Sequence, residues 1–459
     1  MFRKFRTVRV VSAACALALA GPAPARAERH EAEPAMAAVE LARPALLSGP
    51  DFRVRPQAQL VGFMAAFTLD TGSGPVRADS VELLEVRAAE MAAIQVLDDV
   101  VLREAFGLAA LGSVKDTGAT LARVAVRPLA TVAGVPAGVL RYFRGELDKW
   151  SGRLRRHGDR IGDRAGNAGD PYAMVGPMNA GRDERPRKAK RRWYGKIGRE
   201  LGRQAEDAVS HGSARRTLAR ELGIDPYAAT SNPALNERLD RLAWAAAAGS
   251  MSVTELLGVL PTGARAVLDH GGRIDDLVWD LDPEDLRKRN HAVLSRWCGD
   301  DFQMRRFVRH GVFLASVQTR LASAVDAIGP AAGCEHLLDL ALAAGHEVEA
   351  RFLANGLVMA SDFLGPAARG SEIVPVGAGL VLVLPDGRKV LPLPVDRLSW
   401  TALAEDFFDL PELADGPRSV LVGGDVSDRA LRELTALGWE IVVRTPYAGA
   451  PAYARTCCA

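Results

Sequence analysis

The stretch GRDERPRKAKRRWYGKIGRELGR, residues 181–203, divides the sequence into two regions of different character. From Arg182 onward it contains ten Lys or Arg residues against three Asp or Glu, with Trp193 and Tyr194 in its middle. A run of like charge does not pack into a hydrophobic core, so it predicts a boundary between folded regions. The residues before it are rich in Gly and Arg, which extends the predicted basic linker over residues 151–204.

The first 27 residues have the organisation of a secretory signal peptide. Basic residues precede an apolar run over Val10–Ala20, and Ala25-Arg26-Ala27 is a small-x-small cleavage pattern. The apolar run is too short to span a membrane, and no twin-arginine pair precedes it. The sequence therefore predicts a Sec-type signal cleaved after Ala27 and a periplasmic or secreted protein.

Charge is unevenly distributed along the chain. The whole sequence has 58 Lys or Arg and 56 Asp or Glu, and cleavage of the signal removes five basic residues and no acidic ones. The mature chain would be slightly acidic, whereas residues 141–220 contain 21 basic and ten acidic residues. This asymmetry favours an anionic partner for the basic region. After the signal no apolar run is long enough to predict a transmembrane helix.

The N-terminal half changes periodicity twice. Residues 28–50 are rich in Ala, Pro and Glu and are predicted to be poorly ordered. A strand over Phe63–Asp70, a Gly-rich turn and a returning strand over Pro75–Asp79 predict a β-hairpin. After Ser80 the apolar residues recur every three and four positions, which predicts a helix capped by that serine. The apolar residues 117–145 are interrupted by prolines and arginines, and both a packed helical hairpin and a membrane-surface segment remain open for them.

The C-terminal half begins with helices and ends with strands. Asn232-Pro233 and Asp282-Pro283 are helix start signals within a helical region that reaches residue 365. Further on, Asp386-Gly387 predicts a hairpin, and Ser419–Arg444 predicts a strand–helix–strand unit. Pro392 and Pro394 both lack an N–H on the same side of the second hairpin strand, which predicts that this strand lies at a sheet edge.

Together these patterns predict a mainly α, multi-domain chain with a short N-terminal β-hairpin, a central helical domain and a small α/β C-terminal domain. The predicted divisions are a signal peptide at 1–27, a disordered N-terminus at 28–50, a β-hairpin plus helical region at 51–150, the linker at 151–204, a helical domain at 205–365 and an α/β domain at 366–459.

Two short motifs resemble parts of known catalytic or metal sites. Asp70-Thr71-Gly72-Ser73-Gly74 locally resembles the active-site loop of aspartic proteases, and Asp116-Thr117-Gly118 repeats its core. That family places each loop in its own β-rich lobe, whereas the segment between these two is mostly predicted helix, so a hairpin turn at Asp70 is favoured. His346-Glu347 resembles the start of a zinc-binding helix, but Ala350 stands where the second histidine is required. The sequence therefore predicts no metal site, no cofactor and no identifiable catalytic residue.

The basic run admits three interpretations: a solvated linker, a contact with an anionic membrane or acidic protein partner, and a nucleic-acid patch. Export removes the chain from cytoplasmic nucleic acid and disfavours the third. In the second interpretation, cationic side chains contact the anionic surface and two aromatic rings lie at the membrane interface. The residues predicted to make this contact are Arg187, Lys188, Lys190, Arg191, Arg192, Trp193 and Tyr194.

Four cysteines remain after the signal, and an exported chain permits disulfides. Cys298 and Cys334 lie near predicted helix ends and are predicted to pair. For Cys457 and Cys458 both a frayed tail and an intermolecular disulfide stay open.

These observations favour a non-enzymatic cell-envelope protein that binds an anionic surface or a protein partner. The alternative is an exported hydrolase whose site is not encoded in a recognisable motif. Neither a reaction nor a substrate is indicated by the sequence.

Overall fold

A computed structural model describes residues 30–72, 74–110, 211–227, 232–247, 274–377 and 379–454. Helices make up 49% and strands 20% of this part, and the strands form three sheets. The prediction of a mainly α chain is therefore wrong. It failed because the N-terminal hairpin is only part of a larger sheet, whose other strands are two to five residues long.

The N-terminal sheet has six strands: β1 (Ala35–Ala37), β2 (Ser48–Gly49), β3 (Phe52–Val54), β4 (Gln57–Val61), β5 (Met64–Thr71) and β6 (Gly74–Ala78). Their order is β1-β4-β5-β3-β2, and β6 pairs with β5. The predicted hairpin is β5 and β6, with Thr71 opposite Gly74. The sheet is organised around β5, because its Phe67 and Leu69 side chains are fully buried.

Residues 30–50 are ordered, so for them the prediction of disorder is wrong. They contain β1, the one-turn helix α1 (Ala38–Leu41), a 3-10 turn over Pro44–Leu46 and β2. The alanines that suggested disorder are the small side chains that fit against the sheet: Ala38 and Ala42 are buried beside Leu41.

In the described part of the chain, nine α-helices follow this sheet and precede the C-terminal sheet. They are α2 (Val81–Ala110), α3 (residues 211–221), α4 (Pro233–Ala247), α5 (Asp276–Asp280), α6 (Pro283–Leu294), α7 (Asp301–Phe307), α8 (Ala315–Ile328), α9 (Cys334–Ala343) and α10 (Glu347–Leu364).

The predicted helix caps at Ser80, Asn232 and Asp282 are confirmed. Ser80 Oγ accepts from Leu83 N at 3.0 Å, and Asn232 Oδ1 accepts from Leu235 N at 3.1 Å. Asp282 Oδ1 accepts from two backbone N–H groups of the first turn of α6. Each cap satisfies N–H groups that have no partner inside the helix.

The C-terminal sheet contains β7 (Glu372–Val376), β8 (Gly379–Val383), β9 (Lys389–Leu393), β11 (Arg418–Val422) and β13 (Glu440–Val442), in the order β13-β11-β9-β8-β7. A separate pair, β10 (Arg397–Leu398) and β12 (Asp425–Val426), is parallel. Two helices accompany the strands, α11 (Ala402–Phe408) and α12 (Asp428–Ala436). The predicted strand–helix–strand unit is confirmed as β11-α12-β13, with parallel strands.

The edge position predicted for the proline-containing strand β9 is wrong, because β9 lies between β8 and β11. Lys389 N donates to Pro417 O, and Leu393 O accepts from Gly423 N, so alternate residues of β9 face β11. Pro392 faces the other side, where pairing with β8 extends only over Lys389 and Val390. Strand β9 can therefore lie inside the sheet, because no ladder hydrogen bond requires an N–H group at Pro392.

One hydrophobic cluster contains residues of both large sheets and of the helices between them. Gly356 of α10 lies against β9, since a Cβ there would meet Pro392 Cγ at 3.7 Å. The backbone carbonyl of Phe63, in the turn between β4 and β5, accepts from both Asp396 N and Arg397 N at 3.1 Å. The predicted division of the chain near residues 150, 204 and 365 stays a prediction.

Several predictions concern residues outside those that the structure describes: the signal peptide, the segment 117–145, the basic run, Asp116, Cys457 and Cys458. Among the described helices, none combines the length and apolarity required to cross a membrane.

Candidate functional site

The predicted cysteine pair is confirmed at disulfide distance. Cys298 follows α6 and Cys334 begins α9, and their Cα atoms are 5.0 Å apart. Both side chains are buried. The pair ties two helices of the core together and is consistent with an oxidising compartment.

The motif at Asp70 is a hairpin turn. Asp70 forms an ion pair with Arg55 at 2.9 Å, and both side chains are more than half exposed. Thr71 Oγ1 donates to Gly74 O at 2.6 Å and closes the turn. A catalytic aspartate of the protease type shares a proton with a second carboxylate, whereas Asp70 contacts a guanidinium that lowers its pKa.

His346 caps a helix. It is the N-cap residue of α10, and its backbone N–H donates to Glu349 Oε2 at 3.2 Å in a capping box. The next residue, Glu347, is engaged by two arginines. Within the described ranges, no group of three His, Cys, Asp or Glu side chains is placed to hold a metal ion.

An ion-pair network joins α2 to α10 and holds Glu347 at its centre. Arg87 Nη2 donates to Glu347 Oε2 at 2.7 Å, and Arg351 Nη2 donates to Glu347 Oε1 at 2.8 Å. Burial opposes ionisation of Glu347, but the two guanidinium groups outweigh burial and lower its pKa to about 2. On the far sides, Arg87 pairs with Glu90 and Arg351 pairs with Glu82. The two arginines thus bridge three carboxylates, and the network positions the two helices relative to each other.

A second titratable group lies where the two large sheets meet. Asp396 is 2% exposed, and its Oδ2 atom accepts from Ala65 N at 2.9 Å and from Val81 N at 3.1 Å. Tyr453 Oη lies 3.3 Å from its Oδ1 atom. Burial raises the pKa of Asp396 to about 7, although the two backbone N–H groups oppose that rise.

A groove of about 470 Å³ lies between α3, the start of α6 and the turn after α7. We call it the basic groove. Its charged and titratable lining residues are His211, Arg215, Arg216, Arg287, Arg309 and His310. The lining includes no Asp or Glu among the described residues.

Two of the four guanidinium groups in the basic groove are neutralised by neighbours. Arg215 pairs with Asp240, and Arg287 Nη1 lies 3.3 Å from Glu284 Oε2. Arg216 Nε donates to the carbonyl of Trp279 at 3.1 Å, and within the described residues Arg216 forms no ion pair, although its charge helps to lower the pKa of nearby Asp282.

Arg309 is exposed and, in the part of the chain that the structure describes, forms no ion pair. Burial and the nearby Arg306 lower the pKa of His310, so this histidine contributes a neutral ring. The groove therefore carries net positive charge, from Arg216 and Arg309.

The predicted contact residues 187–194 lie outside the described residues, so their position relative to the basic groove is not part of the described structure. The basic groove could not be predicted from the sequence, because Arg216, Arg287 and Arg309 are far apart in the chain. The only signal was the excess of basic residues over 141–220, which includes Arg215 and Arg216.

The chain matches no family model, and neither the curated proteins nor the solved structures contain a significant match to it.

Proposed function

We propose that this protein is an exported binding protein whose basic groove receives an acidic segment of a protein partner. The observation that carries the proposal is that Arg216 and Arg309, which form no ion pair in the described part of the chain, line a groove whose described lining holds no carboxylate. A volume of about 470 Å³ lies in the range of ligand-binding clefts, and a concave surface suits a protruding segment better than a flat bilayer.

Export is part of the same proposal. It is supported by the signal-peptide pattern of residues 1–27, and the paired cysteines are compatible with it. N-terminal sequencing of the protein recovered from the periplasm or medium is expected to begin at Glu28. A protein that retains residues 1–27 in the cytoplasm contradicts export.

The binding test uses the mature full-length protein and a fluorescent hexaglutamate peptide, with anisotropy as the readout. Raising NaCl from about 50 mM to about 500 mM screens exposed charges, and binding is expected to weaken. The double variant Arg216→Ser/Arg309→Ser is expected to bind about tenfold more weakly, since each exposed charge contributes up to about 1 kcal/mol.

The matched control removes two exposed arginines elsewhere. Arg296 and Arg388 are paired with Asp326 and Asp386 and do not line the groove. The variant Arg296→Ser/Arg388→Ser changes the net charge equally and is expected to bind as the wild type does. Equal weakening in both double variants means that net charge alone attracts the peptide, and this result rejects the groove.

Anionic vesicles distinguish the membrane interpretation of the basic run. Sedimentation with phosphatidylglycerol vesicles that disappears when Arg187, Lys188, Lys190, Arg191 and Arg192 become Ser, with peptide binding unchanged, assigns membrane contact to that run. Loss of both activities in this variant contradicts a separate acidic-segment site in the groove.

An exported hydrolase is the second candidate. It is favoured by Asp396, whose pKa of about 7 suits a general acid, and which lines a small cavity together with Glu82 and Tyr453. That cavity holds only about 10 Å³, however, which is room for a single water. Hydrolysis of any generic ester or glycoside substrate that Asp396→Asn abolishes, with the fold intact, supports this candidate over the binding protein.

A further inference from the structure

The basic groove is not lined by charged side chains alone. Val308, Phe313 and Leu314 also line it, in the same stretch of chain as Arg309. A segment that carries only carboxylates pairs with the arginines but brings no apolar group to these side chains. Apolar surface favours binding when an apolar group covers it, so the lining suits an occupant that has both kinds of side chain.

An exposed tryptophan lies beside this groove. Trp244, on α4, is 51% exposed, and its ring stacks on the ring of His211 with centroids 4.3 Å apart and an angle of 26° between the planes. His211 in turn lines the groove. The indole therefore adds an aromatic surface next to the groove lining, and more than half of that residue still faces solvent.

The tryptophan is within reach of a segment that binds the arginines. His211 and Arg216 both lie on α3, and the rise between them is about 7.5 Å along the helix axis. An extended peptide covers that distance with two to three residues, at about 3.3 Å each. Asp240, one helical turn before Trp244, is paired with Arg215, so its charge is neutralised within the protein.

Single exposed apolar side chains are common on protein surfaces and have no meaning by themselves. Here the exposed ring adjoins a cluster of arginines, and Trp and Arg are the residues that most often dominate the binding energy of protein interfaces.

We propose that the acidic segment received by the basic groove carries an aromatic side chain beside its carboxylates, and that this ring stacks on Trp244. The inference rests on the proposed function, because it concerns the same groove and the same partner. The carboxylates pair with Arg216 and Arg309, while the ring covers the exposed part of the indole in the offset or edge-on arrangement of aromatic pairs. The partner segment is thus of mixed acidic and aromatic character.

Two fluorescent peptides of equal charge and length test the proposal on the mature full-length protein, with anisotropy as the readout. Each is hexaglutamate with one residue inserted at its centre, which is Phe in one peptide and Ser in the other. The Phe peptide is expected to bind about three- to tenfold more tightly, the usual gain from an aromatic pair. A third peptide with Leu at the centre is expected to show a smaller gain, and an equal gain overturns the aromatic part of the proposal.

Variants assign the gain to the tryptophan. Trp244→Ser is expected to bind both peptides with the affinity that the wild type has for the Ser peptide, which also shows that the groove is intact. Trp244→Phe is expected to retain most of the gain. Phe363→Ser removes another exposed ring, which does not line the groove, and is expected to leave the gain unchanged. A gain that survives in Trp244→Ser overturns the proposal.

The outcomes separate this inference from the proposed function. Suppose that the Ser peptide binds, that Arg216→Ser/Arg309→Ser weakens its binding, and that Phe adds nothing. The groove then receives an acidic segment without an aromatic residue, and the inference alone is overturned. If neither peptide binds, or if Arg216→Ser/Arg309→Ser binds both as the wild type does, the proposed function fails and this inference fails with it.

Discussion

Replacement of Asp396 by Asn makes the stability of this protein less sensitive to pH. Asp396 is buried, and its pKa of about 7 in the folded protein compares with an ordinary value of 3.8. At about 1.4 kcal/mol for each pH unit, that difference corresponds to about 4 kcal/mol. Because the folded state holds this proton more tightly than the unfolded state does, the wild type loses this stability as pH rises from about 4 to about 7.

The D396N variant carries a neutral amide at the same position and cannot lose a proton. Its carbonyl oxygen can still accept from Ala65 N and Val81 N, the two bonds that join β5 and α2 to the C-terminal sheet. Relative to the wild type, the variant is therefore expected to gain about 4 kcal/mol between pH 4 and pH 8. Urea unfolding followed by circular dichroism at several pH values measures this difference, and other titrating groups cancel in it.

The matched control is Asp386→Asn, in the exposed turn between β8 and β9. Arg388 lowers the pKa of Asp386, so this variant is expected to show a trend of the opposite sign. The reasoning about Asp396 is refuted if the stability difference between D396N and wild type does not change with pH. It is also refuted if the wild type becomes more stable relative to the variant as pH rises. In that case the two N–H bonds would lower the pKa of Asp396 by more than burial raises it.

Two further predictions concern the fold. The double variant Cys298→Ser/Cys334→Ser removes a bridge between residues that are 36 positions apart, and its free energy of unfolding in urea is expected to fall by about 4 kcal/mol. Under reducing conditions the wild type is expected to be as stable as the variant. A loss below about 1 kcal/mol contradicts a formed bridge. Gly333→Ala and Gly387→Ala both place a side chain at φ +85°, but only at Gly333 would the new Cβ meet a backbone atom, Ile373 O at 1.9 Å. Gly387→Ala is expected to cost about 1 kcal/mol and Gly333→Ala at least about 2 kcal/mol more, and equal losses contradict the close approach.

Local signals in the sequence predicted the features that depend on neighbouring residues. Ser80 and Asn232 cap helices because their side chains reach N–H groups three residues later, and such spacing is visible in sequence. Strand β4 also had a visible signal, since buried Ala58 and Leu60 alternate with exposed glutamines. That signal is weak, because the strand has only five residues and lies beside a segment whose composition is typical of disorder.

Features that depend on distant residues could not be predicted in this way. Pro392 indicated an edge strand because the sequence cannot show that pairing with β8 stops just before it. Likewise, nothing near Asp225 in the sequence indicates that Ser316 will donate to it. The arginines that line the basic groove come together only after the helices pack.

The first and last described segments hold each other in place. Ala42 and Tyr453 form a β-bridge, Ala454 N donates to Leu41 O at 3.0 Å, and Glu31 N donates to Trp400 O at 2.8 Å. The N-terminal sheet therefore lacks part of its neighbouring layer until residues near 454 have been synthesised. Contacts of such long sequence separation form slowly, because a long loop must close before they contribute. A nascent chain that has not yet reached residue 454 is therefore expected to fold its N-terminal sheet incompletely.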